Sequence, residues 1–163
     1  MRPIDKHVGG KVCRSDYAGY GTATAGGAGD NTEVDGPWFD RKPADRGPFG
    51  SVKLVIAYRA TLTAAATLSL AVNLQDATSS GGAAAADFGK PFAKAVVATG
   101  GAGGTTEVGT VEFDFDVTPA REFIRAQVTP DLSAGATDTV TWTATWVLFG
   151  SDRGPLTKSL IAA

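Results

Sequence analysis

The segment EFIRAQVTPDLSAGATDTVTWTATWVLFG, residues 122–150, alternates apolar and polar side chains in two runs joined by turn-forming residues. In the first run Ile124, Ala126 and Val128 fall on one side, as in a half-buried strand whose successive side chains point to opposite faces. Pro130 lacks an N–H and is expected to stop the ladder, and SAGATD at 133–138 is expected to turn the chain. In the second run Val140, Trp142, Ala144, Trp146 and Leu148 alternate with Thr141, Thr143 and Thr145, β-branched residues that suit an outer sheet face. Nothing in the segment has the makings of a catalyst. It reads as architecture.

The same period of two reaches back to Ser51. VKLVIAYR (52–59) sets Val52, Leu54, Ile56 and Tyr58 on one side, and ATLSLAVNLQ (66–75) does so with Leu68, Leu70, Val72 and Leu74. TVEFDFDV (110–117) is sharpest: Val111, Phe113, Phe115 and Val117 point inward, while Glu112, Asp114 and Asp116 point outward. FAKAVVA (92–98) reads as a strand of poor alternation, and TAAATL (63–68) as a hairpin connection. No helical period of useful length occurs. The Gly/Ala/Ser-rich stretches 76–91 and 99–107 are expected to be surface loops. The pattern predicts an all-β fold, an antiparallel β-sandwich of jelly-roll or Ig-like type over residues 51–150. Its expected core holds Leu68, Leu70, Val72, Phe113, Phe115, Ile124, Trp142 and Trp146.

Composition divides the chain near Gly50. Residues 1–50 carry 10 of the 21 glycines and 4 of the 8 prolines, with no apolar period, so an irregular, extended N-terminal arm is expected there. The arm nonetheless holds Tyr17, Tyr20, Trp38, Phe39 and Phe49, aromatic weight that a bare linker seldom carries. With Arg41, these are the candidate partner-binding residues, because aromatic and Arg side chains anchor most interfaces. Within PWFDRKP (37–43), Arg41 is expected to pair with a partner carboxylate. Residues 151–163 form a short C-terminal tail, and DRGP occurs at 45–48 and again at 152–155, flanking the sandwich.

At 163 residues with 43% apolar side chains, the chain suffices for one domain with a real core. A net charge of −2 and the absence of a basic run argue against nucleic acid as a partner. No stretch approaches a signal peptide or a membrane span, so synthesis in the cytoplasm and no membrane partner are expected.

Chemistry is hard to find. His7 is the sole histidine and lies in the Gly-rich terminus, and Cys13, the sole cysteine, has no base beside it. GDNTEVDG (29–36) gathers Asp30, Asn31, Glu33 and Asp35, but Thr32 and Val34 stand where calcium ligands should alternate. Glu112, Asp114 and Asp116 share a strand face without a cleft, and neither GYG (19–21) nor GGAGG (100–104) continues into a phosphate-binding pattern. No catalytic residue, metal or cofactor is expected, and the chain is not expected to be an enzyme.

TLSLAVNLQDATSSGG (67–82) and FIRAQVTPDLSAGATDT (123–139), set in this β-rich texture, resemble small structural proteins of tailed-bacteriophage virions. Head decoration (cement) and minor capsid proteins are the nearest in kind. The resemblance covers about residues 50–150 and implies assembly onto a major capsid protein at the capsid exterior, as a homo-oligomer such as a trimer. A head–tail joining or tail component is the alternative within virions. From another class, the alternative is a carbohydrate-binding sandwich, with Trp38, Tyr17 or Tyr20 stacking on sugar rings.

Overall fold

A computed structural model of the chain describes residues 13–44, 48–133 and 137–150. His7, the C-terminal tail, the second DRGP and most of the first lie outside the described residues. Among the described residues ten strands run in order: β1 (Cys13–Thr24), β2 (Val34–Asp35), β3 (Phe39–Asp40), β4 (Ser51–Leu62), β5 (Thr67–Ala77), β6 (Ala86–Asp87), β7 (Phe92–Thr99), β8 (Thr105–Asp116), β9 (Phe123–Leu132) and β10 (Thr139–Phe149). Among the described residues there is no helix.

The strands form two antiparallel sheets. Sheet A has the order β1-β10-β4-β8; sheet B has the order β2-β9-β5-β6, with β3 also on β9 and β7 also on β5. The pairs β1·β10, β2 and β3 with β9, β4·β8, and β5·β7 nest one inside another along the chain. That nesting is one long hairpin folded on itself. Rolling the hairpin brings β10 beside β4 and β9 beside β5, closing the two sheets face to face. Of the two expected sandwich types, this strand order is the jelly roll, two sheets interlocked by Greek-key turns.

The core lies where the period of two put it. Val52, Leu54, Ile56, Trp142, Ala144, Trp146 and Leu148 of sheet A face Leu68, Leu70, Val72, Leu74, Ile124, Ala126 and Val128 of sheet B, all buried. Each full-size aliphatic side chain so buried contributes about 1.5–3 kcal/mol. Phe113 and Phe115 depart from the expectation, because they point inward but are only half-buried. They sit on β8, the last strand of sheet A, where the facing strand β7 covers them incompletely; Phe92 of β7 meets their rings edge-on at 4.9 and 5.3 Å.

Three local expectations are also corrected. Pro130 does not end β9, which continues to Leu132. Its carbonyl accepts the Asn31 N–H at 2.8 Å on the side away from β5, so its missing donor faces that side too and the ladder to β5 is spared. The connection at 63–66 is not a hairpin, because β4 lies in sheet A and β5 in sheet B. The stretch 76–91 is not all loop, since β6 returns to pair with Gln75 and Asp76.

The largest correction concerns the arm. Cys13–Thr24 is a twelve-residue strand paired along β10, and residues 34–40 pair with β9, so Gly50 marks no structural boundary. The inward positions of β1 after Tyr17 are Gly19, Gly21 and Ala23. The Trp142 ring fills the space that their side chains leave; a Cβ on Gly21 would stand 2.7 Å from it. The apolar bulk that stabilises β1 therefore belongs to β10.

Candidate interaction face

The six candidate partner-binding residues separate into two groups. Arg41, Phe39 and Phe49 are buried in their own sandwich, where a partner cannot reach them, so their expected anchoring role is corrected. Phe49 is fully covered and packs 6.2 Å from Phe39, plugging one end of the core. Arg41 is 2% exposed and donates to the carbonyl oxygens of Ala120, Arg121, Phe49 and Thr118. Burial lowers its pKa from the ordinary guanidinium value, and the charge of Asp76 partly offsets that. The expected bidentate pair with a partner carboxylate is thus replaced by a clamp on backbone carbonyls.

Trp38 is half-buried on the outside of sheet B. The Arg125 guanidinium lies over its ring at 4.6 Å, and Gly82 approaches so closely that a Cβ there would stand 2.7 Å from the indole nitrogen. Around it the side chains of sheet B close a hydrogen-bonded ring. Arg125 bridges Asp35 at 2.8 Å and Gln75 at 2.7 Å; Gln75 and Asn73 both donate to Asp87; Asn73 donates to Gln127, which returns to Asp35 at 2.6 Å. The two amide donors hold the Asp87 carboxyl below its usual range, Gln75 contributing most. Of this ring's buried side-chain atoms, the Asn73 Oδ1 alone lacks a hydrogen-bond partner among the described residues. Trp38 has no ring surface free for a sugar on the side that Arg125 covers.

Tyr17 and Tyr20 remain, 48% and 67% exposed. Three residues apart, they would point to opposite faces of a regular strand. A bulge between Tyr17 and Gly19 inserts one residue and turns both rings to the outer face of sheet A, where they oppose Thr145 and Thr143 of β10. Gly19 has φ 148°, a backbone conformation that side chains resist. The ladder then continues across the sheet: Tyr20, Thr143, Ala57, Thr110 in one row, and Thr22, Thr141, Arg59, Val108 in the next. Because Ala57 is small, an open depression of about 540 Å³ lies over it, lined by Arg59, Val108, Thr110, Thr141 and Thr143.

Acidic residues border this face without forming a site. Lys53 bridges Glu112 at 2.8 Å and Asp114 at 3.1 Å, which raises the lysine pKa, Glu112 foremost. Asp116 accepts the Thr118 N–H, which lowers its own. The acidic loop is also occupied structurally: Asp30 accepts the backbone N–H groups of Gly26 and Leu132, and Glu33 accepts Gln127. Among the described residues, no group of three His, Cys, Asp or Glu side chains could hold a metal ion, and no helix is long and apolar enough to cross a membrane. Sequence reading missed the bulge, whose one signal is Gly19 in a Tyr-Ala-Gly-Tyr run, and the sheet B ring, which only topology assembles.

No protein-family model and no curated protein matches the chain. Among solved structures it is similar to a chain in the structure of infectious bursal disease virus, Gx strain, with a TM-score of 0.42 and 10% identity. The match covers 90% of this chain and 35% of that one, and at this level it says nothing of function.

Proposed function

We propose that the chain is a non-enzymatic structural protein of a virion, decorating the exterior of a phage capsid and bridging adjacent capsid subunits. The observation that carries this reading is the outer face of sheet A, with two exposed tyrosines beside an open bed of threonine, alanine, valine and Arg59. Tyrosine is enriched at protein interfaces because it offers a rigid apolar ring with a polar tip at low entropic cost. An open face of this kind suits another protein's surface better than a small substrate, which would want an enclosed cleft with convergent polar groups. Jelly rolls serve in viral shells and in lectins alike, so fold alone does not choose between them. The two sequence phrases that resemble phage decoration proteins favour the shell.

In this reading the contact is made by the sandwich face, not by a free arm over residues 13–50. Tyr17→Ser and Tyr20→Ser together, both at exposed positions, should leave folding intact and abolish binding to particles that lack the protein. Undiminished particle binding by the folded double variant would refute the assignment of this face. A head–tail joint or tail position would show as binding confined to particle ends in electron micrographs. Loss of binding to glycans instead of particles would support a carbohydrate-binding sandwich.

A further inference from the structure

We infer that the free edge of β8 pairs with the same edge of a second copy of this chain, antiparallel and around a two-fold axis at Val108. Sheet edges expose unpaired N–H and C=O groups, and proteins commonly block them with bulges, short strands, prolines or lysines. Three of the four edge positions in this sandwich are interrupted. β1 carries its bulge, β2 and β3 have two residues each on either side of Gly36 and Pro37, and β7 slips register twice against β5.

β8 has none of these devices; its charges are carboxylates, Glu107 on the inward side and Glu112, Asp114 and Asp116 on the outward side. It pairs residue for residue with β4 from Thr105 to Asp116 without a shift, and it contains neither proline nor lysine. None of its twelve residues is buried, and among the described residues only β4 pairs with it. Its outward side therefore offers a long, unbroken row of backbone donors and acceptors. Apolar exposure concentrates here as well: Val108 is 74% exposed and, on neighbouring β7, Val96 is 59% and Phe92 38%.

Charge selects both the partner and the register. The outward carboxylates Glu112, Asp114 and Asp116 occupy the second half of β8, whereas the outward side chains of the first half are Thr106, Val108 and Thr110. A two-fold contact requires a patch complementary to itself. Centring the pair on Val108 sets Val108 against Val108, Thr106 against Thr110 and the inward Glu107 against Gly109, and directs the outward carboxylates of each strand beyond the end of the other. The two copies of Glu112 then lie about 27 Å apart, eight residues of strand rise. Centring on Glu112 would oppose like charges across the joint, which is destabilising. The product is one continuous eight-stranded sheet with the outer faces of both copies on the same side.

The test needs only the purified full-length chain, so it is independent of whether the protein belongs to a virion. Sedimentation equilibrium should show a dimer. Val108→Lys, at an exposed site, should keep the β-sheet circular dichroism while weakening dimerisation by at least about tenfold, since it places two ammonium groups at the axis. Tyr20→Ser should dimerise as the parent does. A short bis-maleimide should join two Val108→Cys chains at residue 108, with the linkage mapped by peptide mass, and should leave Glu112→Cys unjoined at residue 112. A monomeric or trimeric parent chain, a Val108→Lys variant that dimerises unchanged, or cross-linking through Glu112→Cys would overturn the inference.

Discussion

Arg41 and Ala120, 79 residues apart in sequence, are joined inside the protein by a 3.0 Å hydrogen bond from the arginine Nε to the alanine carbonyl. The same nitrogen donates to the Arg121 carbonyl at 2.8 Å, and Nη1 donates to the Phe49 carbonyl at 3.2 Å. One side chain thus ties the segment between β3 and β4 to the turn between β8 and β9. This explains why Arg41 is fixed in a stretch without apolar period: backbone carbonyls gather around its one cation.

Arg41→Ala should therefore destabilise the protein by about 3 kcal/mol, because several buried carbonyls lose their donor at once. Arg41→Lys should recover little of this, since an ammonium cannot reproduce the planar fork that reaches carbonyls on both sides. Urea unfolding of the two variants measures it. A loss below about 1 kcal/mol for Arg41→Ala would mean that the clamp is incidental.

Trp146 is fully buried, yet its indole N–H has no hydrogen-bond partner among the described residues. Truncation and donor removal should separate cleanly there. Trp146→Ala should cost about 3–5 kcal/mol through the cavity it opens. Trp146→Phe should cost much less, because it removes an unsatisfied donor together with part of the ring. Equal losses for the two, read from thermal unfolding, would show that the N–H is satisfied in solution.

The sandwich was legible because strands with one buried face must alternate, and β4, β5, β9 and β10 do. The inward residues of β5, for instance, are Leu68, Leu70, Val72 and Leu74, and only Asp76 at the strand's end breaks the run. β1 was illegible for the complementary reason. Its inward Gly19 and Gly21 leave room for the Trp142 ring, so the strand shows no apolar period of its own. Of the candidate partner residues, Tyr17 and Tyr20 are exposed, whereas Arg41 forms a buried clamp that carries no sequence signal. A charged residue between prolines looks solvated until the fold brings residues 118–121 around it.

Acid should weaken the sheet B ring. The folded-state pKa of Asp87 is lowered by donation from Gln75 and then Asn73, so its contribution is present above the unfolded value, near pH 4, and is lost as pH falls through the folded one. Stability should accordingly decline below about pH 4. Asp87→Asn should flatten that part of the pH profile without changing the slope above it. An acid limb as steep in the variant as in the parent would remove Asp87 from the account.

The most direct measurement of the central claim is the number of copies per particle, from quantitative mass spectrometry of virions purified from infected cells that produce the chain. A capsid decoration protein held by many weak, repeated contacts should be present at on the order of hundreds of copies per virion. A dozen or fewer would contradict decoration and indicate a neck or tail position. Complete absence from purified virions would contradict the structural role itself.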